Sequence, residues 1–62
     1  MKVFRNKNTE TILFVDGDRW KTNTMGGWYR LRVGTMIDHI VTGRQQGWEK
    51  IGVKIYYEKI LL

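Results

Sequence analysis

Sixty-two residues suffice for a single domain, expected to span 1–62, and a chain this short buries only about 60% of the surface its unfolded form exposes. The absence of cysteine removes disulfides and thiolate metal sites, so a partner chain or an aromatic core must supply what is missing, and three Trp, three Tyr and two Phe favour the aromatic core. Eleven Lys and Arg against six Asp and Glu give a net charge of +5, which points to a polyanionic partner, although a charge of about 2–8 also serves ordinary solubility.

In chain order, Met1–Arg5 reads as a short strand and Asn6-Lys7-Asn8-Thr9 as a turn, because asparagine tolerates left-handed backbone. Glu10–Val15 follows as a second strand. Its run Ile12-Leu13-Phe14-Val15 suits a central strand covered on both faces, or one covered on a single face with Leu13 and Val15 half exposed. Asp16-Gly17 is the strongest hairpin signal, since a tight two-residue turn needs a positive φ. Arg19–Thr22 is then the returning strand; the alternative leaves it as a loop and gives four strands.

The paired glycines of Asn23-Thr24-Met25-Gly26-Gly27 break regular structure before Trp28–Val33. There the period is two, with Tyr29, Leu31 and Val33 on one face and Trp28, Arg30 and Arg32 on the other. Thr35 and Asp38 form a capping box with the shorter acid, so a helix starts there. Met36, Ile37, Ile40 and Val41 make its buried stripe, Gly43 weakens its last turn, and Gly47 is placed just beyond its C-terminus. From Ile51 alternation returns, with Ile51, Val53, Ile55 and Tyr57 sharing a face. The fold class is α+β: a small antiparallel sheet of four to five strands with one short helix on one face, in the order β-β-β-β-α-β. The helix is expected to cover Tyr29, Leu31 and Val33 together with Ile51, Val53 and Ile55, which leaves the opposite face free.

The chemistry-bearing residues are few. Asp16 and Asp18 could share a divalent cation, but the further ligands a calcium loop requires do not follow, and turns select Asp and Gly for backbone reasons. No metal or cofactor is expected. His39 falls off the apolar face with no partner to orient it, and serine and cysteine are both absent, so no nucleophile–base pair can be named and no catalytic residue is expected. The glycines match neither phosphate-binding pattern.

What stands out is a mixture of cations and rings in two segments: Arg19, Trp20 and Lys21, then Trp28, Arg30 and Arg32. Guanidinium forks pair with phosphates, and indole faces stack on bases for about 1–3 kcal/mol each. The leading expectation is therefore a small basic nucleic-acid-binding accessory domain using these six residues. The alternative is a small inhibitor or modulator of a larger host enzyme, of viral or mobile-element type, since Trp and Arg also dominate protein–protein hot spots. Neither apolar stretch, Ile12–Val15 or Ile60–Leu62, approaches the roughly 20 residues of a membrane span, and no secretory leader follows Met1. A complete, cytoplasmic protein without a membrane partner is expected, with a homodimer through the apolar C-terminus as a further possibility.

Overall fold

The chain alternates short β-prone runs with turns whose geometry its own residues supply, and a meandering antiparallel sheet results. The computed structural model describes residues 1–53. Among the described residues five strands, β1 (Lys2–Asn6), β2 (Ile12–Asp16), β3 (Arg19–Thr22), β4 (Tyr29–Arg30) and β5 (Trp48–Ile51), accompany the helix α1 (Met36–Val41), in the expected order β-β-β-β-α-β. The sheet order is β4-β3-β2-β1-β5, and every pairing is antiparallel. β5 thus returns past the meander to the free side of β1. Among the described residues no helix is long and apolar enough to cross a membrane.

Each turn has a local cause. Between β1 and β2 the Asn6 side-chain oxygen accepts from the Asn8 and Thr9 amides at 2.9 and 3.0 Å, and its carbonyl accepts from the Glu10 amide at 3.1 Å. The left-handed position is taken by Glu10, at φ +62°, where sequence reasoning placed an asparagine: Asn6 is used for its side-chain acceptor instead. A non-glycine residue there costs about 1–2 kcal/mol. Glu10→Gly should therefore stabilise the domain by about 0.5–1 kcal/mol, after glycine's extra unfolded-state entropy, and urea denaturation would measure it.

Asp16 and Arg19 close the two-residue β2–β3 turn, with Gly17 at φ +62° in its first central position, the sign pattern of a type II′ hairpin. Asn23 prolongs this hairpin: its amide donates to the Ile12 carbonyl at 3.0 Å and its side chain accepts from the Ile12 amide at 3.1 Å.

α1 is bounded by residues visible in the sequence. Thr35 is the N-cap; its hydroxyl accepts from the Asp38 amide at 3.4 Å, while Asp38 accepts from the Gly34 amide at 2.9 Å. The reciprocal bond thus reaches one residue further back than in the standard box. At the other end Gly43, at φ +77°, stands just past the cap residue Thr42. The Gly43 amide donates to the Ile40 carbonyl at 3.2 Å and the Arg44 amide to the His39 carbonyl at 2.8 Å, the two bonds of a Schellman ending. Gly43, and not Gly47, is therefore the terminating glycine; the Gly47 carbonyl accepts from the Lys7 amide at 2.8 Å and leads into β5.

Cross-strand partners point to the same side of a sheet, so the pairing register sorts the side chains into two faces. On the first, Phe4, Leu13 and Val15 meet Ile40 of α1 in the buried core, with Trp20, Leu31, Ile37, Val41 and Trp48 packed around them. On the second lie Val3, Ile12 and Phe14, with Ile51 opposite Val3. Val3 and Ile12 are both buried. β2 is thus the strand covered on both faces, and Leu13 and Val15 are core residues.

Three expectations are corrected. Ile51 lies on the face away from the helix, since it pairs with Val3. The last strand begins at Trp48 and ends at Ile51, so Val53 is outside it, and the expected run through Ile55 and Tyr57 and the apolar end Ile60–Leu62 lie outside the described residues. Val33 is 94% exposed and Tyr29 about half exposed, so of the trio expected beneath the helix only Leu31 packs on the core.

Candidate nucleic-acid interface

Alternation along β3 separates its basic–aromatic triplet. Trp20 pairs with Val15 and Tyr29 on the helix-covered face, half-buried against the core, its ring tilted 30° to that of Tyr29 at 5.4 Å between centroids. Arg19 and Lys21 point the other way, where Arg19 faces Asp16 and Lys21 faces Phe14 across β2. On the other side of β3, Arg19 is directly opposite Arg30 of β4.

Trp28 enters this face from the residue before β4. The Lys21 ammonium lies over its ring, 5.9 Å from the centroid, and Trp28, Arg19 and Asp16 together line an open cavity of about 200 Å³. The indole is 44% exposed. Arg32 is exposed in the turn between β4 and α1, its carbonyl fixed by the Thr35 hydroxyl at 2.7 Å. Of the six residues singled out from sequence, the fold brings Arg19, Lys21, Trp28 and Arg30 onto one surface, sends Trp20 through to the opposite face, and leaves Arg32 in the adjoining turn.

The patch occupies the β3–β4 half of the second face, while the β1–β5 half carries buried Val3 and the cross-strand pair Arg5–Glu49. That pair joins the Arg5 guanidinium to one carboxylate oxygen of Glu49, with Nε at 2.9 Å. It is the only ion pair among the described residues, so Arg19, Lys21 and Arg30 make no ion pair with a described carboxylate, although Asp16 stands across the strand from Arg19. Two like charges directly opposite in a ladder are destabilising, and the Arg19–Arg30 juxtaposition is relieved when an anion lies across both.

Known protein families, characterised proteins and solved structures offer no match to this chain. Function has to be read from the patch itself.

Asp16 is the member that sequence reasoning weighed only as a turn residue and a candidate ion ligand. Its signal was legible: a two-residue turn forces Asp16 and Arg19 into direct opposition, on the side away from Trp20. A second cavity, of about 310 Å³, lies between the end of α1 and β5, with Phe4, Ile40, Val41 and Trp48 in its wall and Lys50 the one charged group among the described residues that line it. No acid pairs with that base among them.

Proposed function

We propose that this chain is a small nucleic-acid-binding accessory domain that engages its partner through the β3–β4 half of the second face. The observation that carries the reading is the Arg19–Arg30 cross-strand pair, flanked by Lys21 and the exposed ring of Trp28. Such a surface offers planar forks for phosphate oxygens beside a ring for bases, and the net charge of +5 favours encounter with a polyanion. Titrating labelled single- and double-stranded oligonucleotides at low and moderate salt tests it. Three phosphates met by Arg19, Lys21 and Arg30 give a slope of log K against log salt of about −2.7 on duplex DNA or −2.1 on single strands. No binding at micromolar protein in low salt removes the reading.

One observation supports a second reading, a protein-binding inhibitor or modulator of a larger enzyme. Tyr29, Val33 and Met36 are all exposed around the β4–α1 connection, and apolar side chains beside arginines also make protein-binding hot spots. Affinity capture from extract with and without nuclease separates the two: partners that survive nuclease treatment favour the protein, and partners lost with it favour the nucleic acid.

A further inference from the structure

The cavity at the mouth of the β2–β3 hairpin carries a more specific reading, which rests on the nucleic-acid function proposed above. The described residues that line it are chemically distinct: the acid Asp16, the base Arg19 and the aromatic Trp28. Asp16 and Arg19 are direct cross-strand partners of opposite charge, and side chains so placed ordinarily close on each other. Here they make no ion pair, since Arg5–Glu49 is the only one among the described residues. Neither head is therefore committed to the other, and both belong to residues that line the cavity. The volume, about 200 Å³, is below the roughly 300 Å³ at which pockets for drug-sized ligands begin. One ring system fits that scale, and under the nucleic-acid reading it belongs to a base of the strand.

We infer that this cavity takes an unpaired guanine base of a single strand; at that nucleotide Arg19 serves the base, and Lys21 and Arg30 keep the phosphates. A carboxylate beside a guanidinium presents two acceptors followed by a fork of donors. Guanine has the complementary edge, with the N1 and N2 hydrogens as adjacent donors, then the O6 and N7 acceptors, the pair that arginine reads bidentately. Adenine and cytosine each offer one amino donor next to acceptors, and thymine a single N–H between two carbonyls, so none satisfies both side chains. Trp28 provides the platform on which the ring stacks, with Lys21 over the indole to attract the adjoining backbone. A duplex cannot present this edge, because N1, N2 and O6 of guanine are then engaged by cytosine. The preference is therefore for single strands.

The test is anisotropy titration of labelled oligothymidylates carrying one central guanine, adenine, cytosine or thymine, with the guanine strand also annealed to its complement. The guanine strand should bind roughly tenfold tighter than all-thymine, towards the lower end of what one bidentate base contact delivers, and annealing should abolish the advantage. Asp16→Asn should reduce the guanine-to-thymine ratio to within about twofold. That ratio is unaffected by the change in net charge, and circular dichroism confirms the fold. Trp28→Ala should weaken all single strands together. Equal affinity for the four strands, or a guanine preference that survives Asp16→Asn, overturns the inference while leaving nucleic-acid binding intact; failure of every strand to bind overturns both.

Discussion

Leu13→Ala should remove about a fifth or more of the stability of this domain. Leu13 is completely buried at the middle of β2, paired with Phe4 across the sheet and covered by Ile40 of α1. Truncating a leucine so placed removes its transfer energy and leaves a cavity that the strand backbone cannot collapse into, for a loss of about 2–5 kcal/mol. A 62-residue chain has roughly 3–9 kcal/mol in total at 0.05–0.15 kcal/mol per residue, and no disulfide limits the unfolded state. The midpoint of thermal unfolding should fall by about 10 °C or more. Val33→Ala, by contrast, should change stability by no more than about 0.5 kcal/mol, because Val33 is almost fully exposed. Thermal melts of the two variants side by side check both statements. A loss below about 1 kcal/mol for Leu13→Ala would show that the core is not organised around β2.

The contrast between these two residues marks what was legible in the sequence. Alternation from Trp28 to Val33 is real as a pattern, yet β4 stops at Arg30. The cause lies in its partner: β3 begins at Arg19, so Arg30 meets the last residue with which it can pair. One more bond follows, from the Leu31 amide to the Asp18 carbonyl at 2.6 Å, and then the Arg32 carbonyl is taken by the Thr35 amide and hydroxyl. Strand length is set by the start of β3, a separate stretch of chain, which a local period does not encode. The same holds for β5, where Trp48 and Glu49 are strand because Asn6 and Arg5 pair with them. Features with local causes were readable: the Thr35 cap, the Gly17 turn, the order of the elements. The face of Trp20 was readable too, since alternation with Arg19 and Lys21 dictates it. The composition of the triplet does not show this, and of the six residues four share a surface.

If the Arg19–Arg30 pair binds nucleic acid as proposed, function and stability oppose each other there, and Arg30→Glu separates them. The substitution replaces two facing cations by a cation and a carboxylate on exposed neighbouring strands. Cross-strand pairs of opposite charge contribute about 0.2–1 kcal/mol and like pairs detract similarly, so the variant should be more stable than the parent by about 0.5–1 kcal/mol. Arg32→Glu makes the same change of net charge in a turn with no facing cation in the ladder, and should bring no such gain. Oligonucleotide affinity should move the other way. Arg30→Glu removes one phosphate contact and places a carboxylate within the patch, so binding at low salt should fall at least tenfold and the salt slope should shrink by about 1. Urea denaturation and anisotropy titration on the same preparations give both numbers. A destabilised Arg30→Glu would mean that the arginine pair is held together by the fold for structural reasons. A stabilised variant with undiminished affinity would mean that nucleic acid binds elsewhere. Only the combination of firmer folding and weaker binding is expected of a surface that keeps two like charges in register for an anion to bridge.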